Sequence, residues 1–129
     1  LPDLRKVVLA DTFAAFSDHW SPKIVGSLNG QHVKLVKFQG EFVWHHHERE
    51  DEMFLVVRGA FRMDYRDDAG REQELQLAAG EFVIIPRGMQ HRPVAEHEVE
   101  VMLFEPAGTL NTGNVTSGLT VDKPEVLAG

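Results

Sequence analysis

Between residues 23 and 105, apolar and polar positions alternate in short runs broken by turn residues. This period of two predicts strands, each with one face inward. "KIVGSL" and "HVKLVKF" flank "NGQ", where Asn-Gly favours a tight hairpin turn. "AFRMDY" sets Phe61, Met63 and Tyr65 on one face and Arg62 and Asp64 on the other. "EMFLVV" is apolar on both faces, which predicts cover on both sides. "EQELQL", "EFVIIP" and "VEVMLF" add further strands. Ahead of them, "DTFAAFSDHW" spaces Phe13, Phe16 and Trp20 by threes and fours, with Asp11 or Thr12 as a cap. One short amphipathic helix is expected there, ended by Pro22. No helix follows each strand, so the pattern fits an antiparallel barrel or sandwich and not a parallel α/β sheet. The expected organisation is an N-terminal arm and helix over 1–22, a β-barrel over 23–105, and a C-terminal arm or flexible tail over 106–129, where no core-forming period is visible.

A length of 129 residues is one domain, and 43% hydrophobic residues suffice for a core. The formal net charge of −7 argues against nucleic acid and anionic membranes as partners. No apolar run is long enough to span a bilayer. Cysteine is absent, so disulfides and thiolate metal sites are excluded and any metal must be held by nitrogen and oxygen. A cytoplasmic location is expected on the same ground.

The chemistry concentrates in "EFVWHHHEREDEMFLVVRG", residues 41–59. In a strand, His45 and His47 share a face and His46 points the other way. Glu52 lies at an odd offset from His47 and needs a bulge or turn to join them. On this stretch alone two readings stand: a metal-binding pair, or a solvated loop rich in histidine and acid. Downstream, "GEFVIIPRGMQHRP" ends a strand at Pro86 and turns at Gly88 before His91. Alone, His91 reads more readily as a structural or exposed residue than as a ligand.

Together the two stretches resemble the paired motifs of the cupin superfamily. Gly40, His45, His47, Glu52 and Gly59 fill the first motif, and Gly80, Pro86, Gly88 and His91 fill the second. Ala95 stands where the second motif has Asn, and Gly40 sits one residue closer to the first histidine than the pattern has it. The resemblance implies a small single-domain cupin: an all-β double-stranded β-helix, or jelly-roll barrel. It implies a divalent transition metal (Fe, Mn, Ni, Co or Zn) held by His45, His47, Glu52 and His91. Six-coordinate geometry would leave two positions open, as a catalytic centre requires. Such cupins include isomerases, epimerases, lyases and dioxygenases. The expected function is therefore metal-dependent action on a small oxygen-rich metabolite. The alternative is a non-catalytic module binding metal and small ligand as sensor or store.

Phe54 and Val56 share a face with Glu52, and with Met102 and Phe104 they are candidate substrate walls. An ordinary barrel core predicts the same residues. Arg87, Gln90 and Arg92 are candidates for the mouth. Phe42, Trp44, Met53, Leu55 and Val57 are expected to point away from the metal, leaving an apolar outer face. The helix or a second subunit would cover it. Cupins commonly pair through such faces, and a homodimer is expected.

Overall fold

The computed structural model describes residue 1 and residues 3–127. Its elements are α1 (Leu9–Ala14), β1 (Lys23–Leu28), β2 (Gln31–Glu41), β3 (Glu52–Arg58), β4 (Ala60–Arg66), β5 (Glu72–Ala78), β6 (Phe82–Ile85), β7 (His91–Pro106) and β8 (Glu125–Val126). The all-β expectation holds, with one short helix ahead of the strands. The hairpin between β1 and β2 turns at Asn29 and Gly30, both at positive φ.

Strand β7 organises the jelly roll. Its first residues pair antiparallel with β4, from Arg62↔Val94 to Tyr65↔His91. Its later residues pair with β3, from Met53↔Phe104 to Arg58↔Glu100, and β2 pairs with it from Gln31↔Pro106 to Glu41↔Val94. Strand β6 pairs with β3 alone. The ladder β5-β4-β7-β2-β1-β8 is an open path and does not close on itself. The β2–β7 register breaks between Phe38 and Gly40, opposite Val99 and Ala95, so Glu96, His97 and Glu98 loop outward. Gly59 passes this kink at φ 91, and a Cβ there would lie 3.1 Å from Glu98 O. Only glycine fits that crossing without strain.

The alternation of β7 buries Val99, Val101, Leu103 and Glu105 and turns Met102 and Phe104 to the opposite face, where they are half-buried. Inside, Val36, Phe38, Phe54, Val56, Phe61 and Val101 form the core. Outside, Met53, Leu55 and Val57 are only half-buried, and Phe82 and Ile84 on the neighbouring β6 are exposed.

Two expectations fail for backbone reasons. The helix runs only from Leu9 to Ala14; Val8 precedes it, and Thr12 donates back to Val8 O at 3.1 Å without capping the start. Trp20 is not on it. It sits at φ 61 and packs into the barrel between Phe38 (4.5 Å between ring centroids) and Phe42 (4.7 Å). Phe42 is also buried, not outward: it keeps the inward phase of Val36 and Phe38, and residues 42–44 are not strand, so the alternation counted back from His45 does not reach it.

Residues 107–127 lie along the barrel. Thr112 is fully buried, and β8 pairs parallel with β1 at Lys23↔Glu125. Among the described residues, no helix is long and apolar enough to cross a membrane.

Candidate metal centre

Glu52 opens β3 and His91 opens β7, while residues 45–47 lie just outside β2. An isolated bridge joins His45 to His91: His45 N donates to His91 O at 3.1 Å, and His91 N donates to His45 O at 2.9 Å. Gly88 N donates to His47 O at 2.8 Å, and Arg87 N to Asp51 Oδ1 at 2.9 Å, so the two motif loops are stitched together. The exposed turn at Glu48 and Arg49 absorbs the odd offset and brings Glu52 inward.

The result is a buried group of His45, His47, Glu52 and His91 whose candidate ligand atoms all lie within 4.8 Å of one another. His47 Nε2 stands 3.3 Å and His91 Nε2 3.4 Å from Glu52 Oε1. His45 Nδ1 donates to Val43 O and His91 Nδ1 to Met89 O, each at 2.9 Å. A carbonyl only accepts, so each ring carries its proton on Nδ1 and turns the Nε2 lone pair inward. The two inward nitrogens, both ring nitrogens of His47 and Glu52 Oε1 have no hydrogen-bond partner among the described residues although buried. Buried polar atoms are rarely orphaned, and a shared cation would satisfy Glu52 Oε1 and one nitrogen of each ring, leaving the second His47 nitrogen over. The donors fit a divalent transition metal of intermediate hardness.

Electrostatics support that ligand state. Burial, and then the neighbouring His91, push the His45 imidazole down to about 3, so it is neutral. Burial works against ionisation of Glu52, but the neighbouring Glu105, His47 and His91 side chains outweigh it and hold its carboxyl well below the usual range. Glu105 is pushed well above that range, first by burial and then by the Glu52 charge, against the influence of Lys34. Lys34 Nζ reaches Glu105 Oε1 at 3.0 Å, and both side chains are buried.

Beside the group lies a narrow cavity of about 20 Å³. Trp20, Phe38, Phe42, Phe54 and Leu103 form its apolar wall, with Asn111 at its edge and His45 and Glu52 facing in.

The structure brings together the four candidate ligands and adds Phe54 to the cavity wall. Val56 is buried on the same face of β3 but does not line the cavity. Met102 and Phe104 are corrected: strand alternation puts them on the outer face, and Leu103 takes the inner place. Arg87 pairs with Asp51 on the surface. Gln90 Nε2 bonds His46 Nδ1 at 2.6 Å, and His46 stays outside the ligand group. Arg92 pairs with Asp64 and Glu41 and stacks over Trp44. Trp20, Asn111, Lys34 and Glu105 escaped the sequence reading. Only the inward phase of Lys34 and Glu105 was visible there, and that needs the register to interpret.

Residues 32–105 match the family model for the Cupin domain, and the chain belongs to that family. The protein YdbB of Bacillus subtilis is 35% identical over 68 residues, which are 53% of this chain and 57% of YdbB. This chain thus spans little more than half of that curated relative. A cupin-2 domain containing protein from Shewanella frigidimarina, known from its crystal structure, is 41% identical over 78% of this chain and 93% of its own, with a TM-score of 0.72. Hydroquinone 1,2-dioxygenase PnpCD, solved with Fe3+, reaches the same TM-score of 0.72 over 81% of this chain and 33% of its own. At 18% identity that likeness shows the shared fold alone.

Proposed function

We propose that this cupin domain binds one divalent transition metal (Fe, Mn, Ni, Co or Zn) through His45, His47, Glu52 and His91, and acts there on a small oxygen-rich metabolite. One observation carries the reading: buried ligand atoms without protein partners converge from two distant segments. When bound, such a metal supplies Lewis-acid polarisation of a carbonyl or carboxylate and, if it is iron, redox chemistry. The backbone carbonyls of Val43 and Met89 fix two of the rings, so the donor set is organised in advance. Glu52 adds a single negative charge to neutral imidazoles, which favours an anionic or oxygen-bearing ligand on the loaded centre. The aromatic wall excludes water and offers faces for flat groups, with Phe54 among its residues. It offers few hydrogen-bond partners, which favours a keto acid or phenolic acid over a polyhydroxylated sugar.

The second reading is a binding module without turnover, and the small free space in the cavity favours it. Metal-loaded protein screened against keto acids, phenolic acids and sugars, with product formation and oxygen uptake recorded, separates the two. Turnover that disappears in Glu52→Gln supports the enzyme. Saturable binding without product in every case supports the module.

The net charge of −7 supports small molecules rather than nucleic acid as partners, and the absence of cysteine supports a cytoplasmic location. A homodimer is part of the proposal. It is supported by the exposed Phe82 and Ile84 beside half-buried Met53 and Leu55, and by Leu1 and Leu4 standing free in the N-terminal arm. Light scattering that returned the mass of a single chain at micromolar concentration would reject it.

A further inference from the structure

The peptide carrying His45 and His47 has a backbone partner on each side. On one side His45 exchanges both hydrogen bonds with His91. On the other, Asn114 closes on the His46 peptide twice. Its Oδ1 accepts from His46 N at 2.8 Å, and its own N donates to His46 O at 3.1 Å. Gly113 beside it has φ 56, and a Cβ there would lie 2.2 Å from His46 O and 3.2 Å from His45 Cδ2. The backbone is pressed against the carbonyl of His46, between the two candidate ligands, at a distance that no side chain allows.

This contact comes from a segment beyond the matched residues 32–105. The segment is tied by its own bonds. Asn111 Nδ2 donates to Leu119 O at 2.8 Å, Val121 N donates to Asn111 Oδ1 at 2.9 Å, and the hydroxyls of Thr112 and Thr120 meet at 2.7 Å. Residues 45–47 belong to no strand. Without Asn114 one edge of their peptide plane would be free to rotate, and both rings would turn with it. Ligand convergence tolerates errors of only about half an ångström.

We propose that Gly113 and Asn114 are positioning residues of the metal centre, clamping the His46 peptide so that His45 and His47 stay aimed at the point shared with Glu52 and His91. This rests on reading those four residues as metal ligands.

The test uses the whole chain and zinc alone. Zinc affinity is measured by competition with a chromophoric chelator, and hydrogen exchange is followed at the His46 amide. Asn114→Ala is expected to weaken zinc binding about tenfold and to speed His46 exchange, and Gly113→Ala to do at least as much. Asn114→Asp keeps the acceptor oxygen and is expected to stay within about threefold of the parent. Leu77→Ala, a core change on β5 away from the clamp, is expected to lower stability and leave zinc affinity alone. The proposal is overturned if Asn114→Ala and Gly113→Ala both bind zinc like the parent while folded, or if Leu77→Ala weakens binding as much as they do. His45→Ala separates the two layers. If it loses zinc, the ligand reading stands and the clamp is judged by its own variants; if it keeps zinc, the ligand reading falls and the clamp falls with it.

Discussion

Glu105 and Glu52 are buried together inside the barrel, and their two carboxyls are driven in opposite directions. The Met53↔Phe104 pairing of β3 with β7 sets them side by side. Two buried carboxylates in contact cannot both stay charged, so Glu52 is ionised and Glu105 holds the proton, with Lys34 at 3.0 Å behind it.

This arrangement predicts an asymmetry between single and double substitutions. Glu105→Ala leaves Lys34 buried without its partner and is expected to cost about 3–5 kcal/mol. Lys34→Met with Glu105→Leu removes both polar groups and fills their space, and is expected to be close to neutral. Urea unfolding of the metal-free proteins checks both values. Equal losses in the two proteins would mean that the pair is not isolated from water.

Acid should unfold the metal-free protein through His45. Its folded pKa is depressed from 6.5 to about 3 by burial and by His91. Falling pH protonates the unfolded chain first. The stability from this group is therefore complete above about pH 6.5 and drains away as pH falls toward about 3, by a few kcal/mol in all. Melting temperature measured down this range should decline steadily, and His45→Phe should flatten the decline. An unchanged slope in that variant would show that other groups control the acid transition.

Trp20 roofs the cavity from a left-handed backbone position, with its Nε1 donating to Gln39 O at 2.9 Å. Trp20→Ala removes the ring stacked on Phe38 and Phe42 and is expected to cost about 3–5 kcal/mol. Chemical denaturation measures it. A loss no larger than that of an exposed residue would contradict the packed roof.

The candidate ligands were legible because two motifs fix their order and spacing, and because turn residues at Gly80, Pro86 and Gly88 mark where the strand ends. The barrel was legible from its period of two. Side-chain facing was not, wherever the backbone departs from that period. The non-strand stretch between Phe42 and His45 left Phe42 inward, and the phase of β7 turned Met102 and Phe104 outward. The positive φ of Trp20 hides from any helical pattern. Asn111, Gly113 and Asn114 meet main-chain atoms of other segments from a stretch with no period, so nothing in their order announces them. Lys34 and Glu105 read as polar residues in an apolar strand, and only the cross-strand register shows that they meet.

The most direct measurement is the metal content of purified, dialysed protein by elemental analysis. The chain should carry close to one equivalent of divalent transition metal, and His45→Ala and His91→Ala should each retain less than about a tenth of that while folded. Full metal in either folded variant, or none in the parent after exposure to each candidate metal, would contradict the four-residue centre.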